Sequence, residues 1–239
     1  MEGKKLCIFN WSGGKDSTLA LHYVMQDPLV EIKYLVTTVT EKFNRVSMHG
    51  VREALLINQA ASIGIPLYII RLPEMPDMET YDDVMNQHLR KFKEEGITHS
   101  IFGDIFLADL RAYREEKLNE VGLKAIFPLW GQNTAKLIAE FLKLNYKTII
   151  VCAQQNLQSI CGEIINSKLI SELPVDINPC GENGEFHTFV YEGPIFAKKI
   201  DFELGEKVFR TYNQPSIDNS YDTKNLDEDK LGYWFINLI

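Results

Sequence analysis

The chain has 239 residues, 45% of them hydrophobic and 24% charged, with a formal net charge of -8. That apolar share supports a substantial buried core and excludes general disorder. The acidic balance argues against the broad basic face that nucleic-acid binding normally requires, and the length suits one large domain or one domain with a smaller appendage.

Leu6-Cys7-Ile8-Phe9 is a short apolar run between lysines and a glycine-rich turn, which suits a buried strand. Thr18 to Met25 then reads as a helix, Ile32 to Val39 as a β-branched strand, and Val51 to Ile63 as a helix stopped at Gly64. The alternation continues with strand Leu67 to Leu72, helix Tyr81 to Glu95, strand Ser100 to Phe102 and helix Leu107 to Val121. Ala125 to Leu129, Thr134 to Leu144 and Lys147 to Cys152 extend it as strand, helix and strand. Such alternation predicts an α/β fold with a doubly wound, mostly parallel, Rossmann-like sheet over residues 1–150. Beyond it the rhythm breaks: Leu157 to Leu173 looks helical, turns follow around Pro174, Pro179 and Gly181, and short alternating segments close the chain. Residues 151–239 are therefore expected to form a smaller α+β domain, with Gln214 to Lys230 as a polar, acidic surface loop.

Cys7, Cys152, Cys161 and Cys180 form no C-x-x-C pair, so reduced thiols fit better than a zinc knuckle or a redox motif. The N-terminal apolar run is too brief for a signal peptide, and no stretch reaches the roughly 18 apolar residues of a membrane span. A soluble, cytoplasmic protein is expected. The aromatic end Tyr233-Trp234-Phe235 packs either on its own domain or on a partner subunit, which leaves a homodimer open.

Between the first strand and helix stands Ser12-Gly13-Gly14-Lys15-Asp16-Ser17. A strand, a glycine turn and a helix N-terminus aim backbone N–H groups and the positive end of a helix dipole at one point, which suits phosphate. Lys15 adds a charge, and the hydroxyls of Ser12 and Ser17 add donors. A Walker A loop would need Gly where Phe9 stands and Ser or Thr where Asp16 stands, and no dinucleotide-binding G-x-G-x-x-G is present. The loop resembles that of the pyrophosphate-loop, or N-type ATP pyrophosphatase, enzymes, whose fold is adenine nucleotide alpha hydrolase-like. That resemblance implies ATP bound by its β and γ phosphates, products AMP and pyrophosphate, and magnesium held with the help of Asp16, whose carboxylate alone would repel phosphate.

Gly103-Asp104 closes an apolar strand, and ligands of open parallel sheets bind outside the carboxyl ends of strands. Asp104 is thus expected in the same crevice, as a nucleotide-site residue and second magnesium ligand. His49, before a helix, is a weaker candidate for the nucleotide. Arg114 to Lys117 reads as a solvated helix face.

Pro179-Cys180-Gly181-Glu182-Asn183-Gly184-Glu185-Phe186-His187-Thr188 packs carboxylates, an amide, a thiol, an imidazole and a hydroxyl into one turn. Together with the early loop, Gly103-Asp104, Pro128-Leu129-Trp130 and Gly193-Pro194, this closely resembles the diphthine–ammonia ligase family over nearly the whole chain. The resemblance implies ATP-dependent amidation: a carboxylate, that of diphthine on an elongation factor or a related one, is adenylated, and ammonia displaces AMP. Lys15 would stabilise the departing pyrophosphate charge, and Glu182, Glu185 and His187 would serve acyl transfer. Trp11, Tyr113 and Trp130 are candidate walls for diphthine's quaternary ammonium. Cys180 is left out of catalysis as a plain buried thiol. Two other readings share the loop: a tRNA-modifying pyrophosphate-loop enzyme, and an ATP-binding sensor without turnover.

Overall fold

The computed structural model describes residues 4–43, 45–46, 50–213 and 230–239. The alternation appears as β1 (Lys5–Asn10), α1 (Lys15–Val24), β2 (Val30–Thr40), a short β3 (Arg45–Val46), α2 (Glu53–Ile63), β4 (Leu67–Leu72), α3 (Met78–Glu94), β5 (His99–Ile101), α4 (Ala108–Glu120), β6 (Lys124–Ile126) and α5 (Thr134–Lys143). β1 pairs in parallel with β2 and β5, β2 with β4, and β5 with β6, while β3 adds antiparallel to the end of β2. The parallel strands therefore stand in the order β4-β2-β1-β5-β6, and the winding reverses between β1 and β5. That reversal opens a crevice outside the carboxyl ends of those two strands.

Alternation along β1 divides the core between the two faces of the sheet. Cys7 and Phe9 pack with Leu19 and Leu21 of α1 and Leu55 and Leu56 of α2. Ile8 faces the other way, with Leu89 and Phe92 of α3 and Leu118 of α4. Helices thus cover both faces, as a doubly wound sheet requires.

β7 (Lys147–Gln154) departs from the sequence reading. It is a strand, but it pairs antiparallel with β8 (Phe186–Glu192) and with β10 (Lys230–Leu238), which in turn pairs with β9 (Leu204–Asn213). The second sheet runs β8-β7-β10-β9. Thr148 to Ala153 are buried without alternation, so the run looks the same as a parallel core strand, and periodicity cannot assign it to a sheet. The helix expected over Leu157 to Leu173 is a 3₁₀ turn at Gln155–Ile160 and a short α6 (Ser167–Glu172). Gly162, at φ +88, separates them, and Asn166 caps the second.

Tyr233, Trp234 and Phe235 lie on β10 between β7 and β9, so the aromatic end packs within its own chain. Phe186, Phe189 and Val190 of β8 share one buried cluster with α1, joining the two sheets. All four cysteines are buried and free. No helix among the described residues is long and apolar enough to cross a membrane. His49 and positions 214–229 of the expected acidic loop lie outside the described residues.

Candidate active site

The glycine turn leaves β1 at Asn10, whose Nδ2 donates to Ser100 Oγ at 2.8 Å and to the Ile101 carbonyl at 2.9 Å, tying the two strand ends at the crevice. Helix α1 begins at Lys15, earlier than the sequence suggested, so Lys15, Asp16 and Ser17 form its first turn. Gly14 is the N-cap and supplies no side-chain cap, leaving the helix N-terminus to backbone and hydroxyl groups. Ser17 Oγ donates to the Gly14 carbonyl at 3.0 Å, and the Ser12 and Ser17 hydroxyls stand 3.0 Å apart. Gly103 packs against this turn: a Cβ there would lie 3.0 Å from the Ser17 nitrogen. Its lack of a side chain is therefore what lets β5 and the loop meet.

The late acidic turn interlocks with the early loop. The Lys15 N–H donates to Thr188 Oγ1 at 3.0 Å. Lys15 Nζ, almost fully buried, donates to Asp16 Oδ2 at 2.7 Å and to the Cys180 carbonyl, and lies 5.5 Å from the centre of the Phe186 ring. Burial opposes the Lys15 charge, but Asp16 and Glu182 outweigh it and hold the ammonium above its ordinary value. Glu182 Oε1 accepts from the Ile105 N–H at 2.8 Å. Burial first, and the charge of Asp16 second, push the Glu182 carboxyl up to about 7. His187 is pushed down to about 4 by burial and by Lys15, so its ring is neutral at pH 7. Asp104 is also raised by burial, against the pull of Arg114, whose Nη1 donates to Oδ2.

Glu185 faces elsewhere. Its Oε1 accepts from the Asn178 N–H and from Asn183 Nδ2, both at 2.9 Å, and its Oε2 accepts from the Asn183 N–H at 2.8 Å. The buried carboxylate braces its own turn and does not line the crevice. Cys180 donates its thiol proton to the Thr134 carbonyl at 3.3 Å, and burial pushes its pKa up to about 12, leaving it protonated at pH 7.

The crevice is a cavity of about 1040 Å³, bounded by the loop, Gly103-Asp104, Glu182, His187 and Thr188. Its remaining wall includes Tyr81, Asp82 and Asn86 of α3, which sequence reasoning passed over, and Arg114 and Lys117 of α4, which it read as a solvated face. Asp82 accepts from Lys117 Nζ at 2.7 Å and from the Tyr113 hydroxyl. Arg114 and Lys117 thus border the cavity; placing α4 beside the switch point would have been the available signal. Trp11 and Tyr113 also line it, whereas Trp130 packs outside, 4.6 Å from the Arg111 guanidinium.

Among the described residues no three His, Cys, Asp or Glu side chains gather to hold a metal unaided. Magnesium is usually held by one or two carboxylates together with substrate phosphates. Asp16 and Asp104, hard oxygen donors on opposite sides of the switch point in one cavity, fit that pattern.

Fold and site together define a doubly wound α/β protein with a glycine-rich loop at its switch point and an acidic turn from a second sheet locked against it. Residues 5–125 match the family model for the diphthamide synthase N-terminal domain, and residues 133–218 match that for the C-terminal domain. The chain belongs to the diphthamide synthase family. The protein named diphthine–ammonia ligase from Rattus norvegicus is 26% identical over 131 residues, covering 52% of this chain and 49% of that protein. The protein of that name from Homo sapiens is 24% identical over 169 residues, covering 64% and 63%. The match spans about half the length of the rat and mouse relatives and under two thirds of the human one. Among solved structures, U34-tRNA thiolase NcsA from Methanococcus maripaludis matches at a TM-score of 0.40 and 17% identity, over 61% of this chain and 59% of that one.

Proposed function

We propose that this chain is an ATP-dependent ligase that adenylates the carboxylate of diphthine, or a closely related one, and amidates it with ammonia, releasing AMP and pyrophosphate. The observation that carries the reading is the contact of Lys15 with both motifs: one buried ammonium touches Asp16 of the loop and the Cys180 carbonyl at the head of the acidic turn. A phosphate loop and a carboxylate-bearing turn sharing one cavity suit a reaction in which phosphate leaves and an acyl group is then transferred. The names of the relatives support the same reading.

In this reading the parallel sheet and its loop handle the nucleotide, and the second sheet, which begins at β7 and so before residue 151, carries the acyl transfer. Lys15 and the N-terminus of α1 offset the negative charge of the departing pyrophosphate. Asp16 and Asp104 would hold magnesium, which supplies further charge neutralisation when bound. Glu182, with a pKa near 7, is matched to take a proton from the attacking ammonia. Neutral His187 accepts or donates a hydrogen bond without adding charge. Glu185 keeps the turn in shape and so positions Glu182.

Turnover should be followed with ATP, magnesium, isotopically labelled ammonium and a diphthine-bearing protein, with the label sought in the acceptor. Asp16→Ala is expected to abolish magnesium-dependent turnover. Label that enters the acceptor only with ATP supports the ligase. ATP bound but never cleaved would indicate the sensor instead, and cleavage stimulated by tRNA alone would indicate the tRNA-modifying enzyme.

A further inference from the structure

Gln59 of α2 is completely buried, and its amide meets three separate segments. Oε1 accepts from Trp11 Nε1 at 2.9 Å, and Nε2 donates to the Gly13 carbonyl at 3.1 Å and to the Val190 carbonyl at 2.6 Å. An indole nitrogen can only donate, so Trp11 determines which end of the amide is oxygen and turns the NH2 toward the two carbonyls. The Gly13 carbonyl also accepts from the Val190 N–H at 2.9 Å, so two donors hold it.

Gly13 and Gly14 are adjacent glycines, the pair of residues with the freest backbone, and the peptide between them can turn over at little local cost. In a trans peptide the carbonyl and the following N–H point in opposite directions. With the Gly13 carbonyl held toward α2 and β8, the Gly14 N–H points to the loop interior, where Ser12 Oγ takes it at a long 3.3 Å. That donor is weakly used and free to move to a stronger, anionic acceptor. Were the peptide turned over, a carbonyl oxygen would face the position of the phosphate. Gly13 sits at φ +77, and a Cβ on it would fall 2.6 Å from Gln59 Oε1, so the amide also occupies the space behind the loop.

We infer that Gln59 is a positioning residue for the nucleotide: it locks the Gly13-Gly14 peptide with its N–H toward the phosphate site and registers the loop against β8. This rests on the reading that the loop binds ATP. Gln59→Met keeps the volume and removes both donors, whereas Gln59→Glu keeps the shape and sets an oxygen against two carbonyls. ATP affinity is measured by titration calorimetry alongside thermal melting, with Phe141→Leu, in the core at α5, as a variant that lowers the melting midpoint away from the site. Gln59→Met is expected to bind ATP about tenfold more weakly, the scale of one buried hydrogen bond, while Phe141→Leu binds as the unmodified protein does. Gln59→Glu should recover part of its loss as the pH falls and a protonated carboxyl again supplies one donor. Unchanged affinity in Gln59→Met, or an equal loss in Phe141→Leu, overturns the assignment but leaves ATP binding intact. Failure of the unmodified protein to bind ATP removes both.

Discussion

Glu182 and Glu185 stand three positions apart and face opposite ways. Sequence reasoning grouped them by chemistry, but Gly181 and Gly184, at φ +66 and +81, decide their directions, and no pattern of residue types discloses that. Glu182 looks into the cavity with its carboxyl raised from 4.5 to about 7. Folding therefore disfavours its charged form, so its contribution to stability is fully present below pH 4.5 and is lost as the pH rises through about 7. Glu182→Gln should consequently melt higher than the unmodified, ligand-free protein at pH 8 and not at pH 4; equal melting at both values would show that the carboxyl is unperturbed. Glu185→Ala removes a buried carboxylate that accepts three hydrogen bonds, from the half-buried Asn178 and the exposed Asn183. It should cost about 3 kcal/mol, or roughly 6–12 °C of melting temperature for a chain of this size. Loss of turnover with unchanged melting would return Glu185 to the chemistry.

At the level of elements, the parallel sheet was legible because its strands and helices carry different periods and glycines stop the helices. β7 was legible as a strand but not as a member of the second sheet, since a buried antiparallel strand and a buried parallel one present the same apolar run. The start of α1 was missed because Lys15-Asp16-Ser17 reads as loop chemistry, although Asp16 in a first helical turn complements the dipole. The meeting of β5 with that turn gives a test. Gly103→Ala would set a methyl 3.0–3.1 Å from the backbone of Asp16 and Ser17, where neither neighbour is a flexible side-chain end. It should displace the first turn and raise the KM for ATP roughly tenfold, the scale of modest overpacking; an unchanged KM would mean that the turn's position is immaterial to binding.

For the whole molecule, the cavity exists because two sheets share one core: β8 presses against α1, and the acidic turn that opens it is thereby carried to the loop. Sequence could place each motif at the end of an element but not bring them together, because the contact between Lys15 and Cys180 spans 165 positions. Nor could it show that α3 and α4 complete the wall. A site built this way should couple nucleotide cleavage to the acceptor, so ATP should not be consumed without it. The most direct test is phosphorus NMR of the reaction with ATP, magnesium, ammonium and a diphthine-bearing acceptor. AMP and pyrophosphate should appear together, in step with amide formation, and only when the acceptor is present; ADP and phosphate, or AMP formed with no amide, would contradict the proposed ligase.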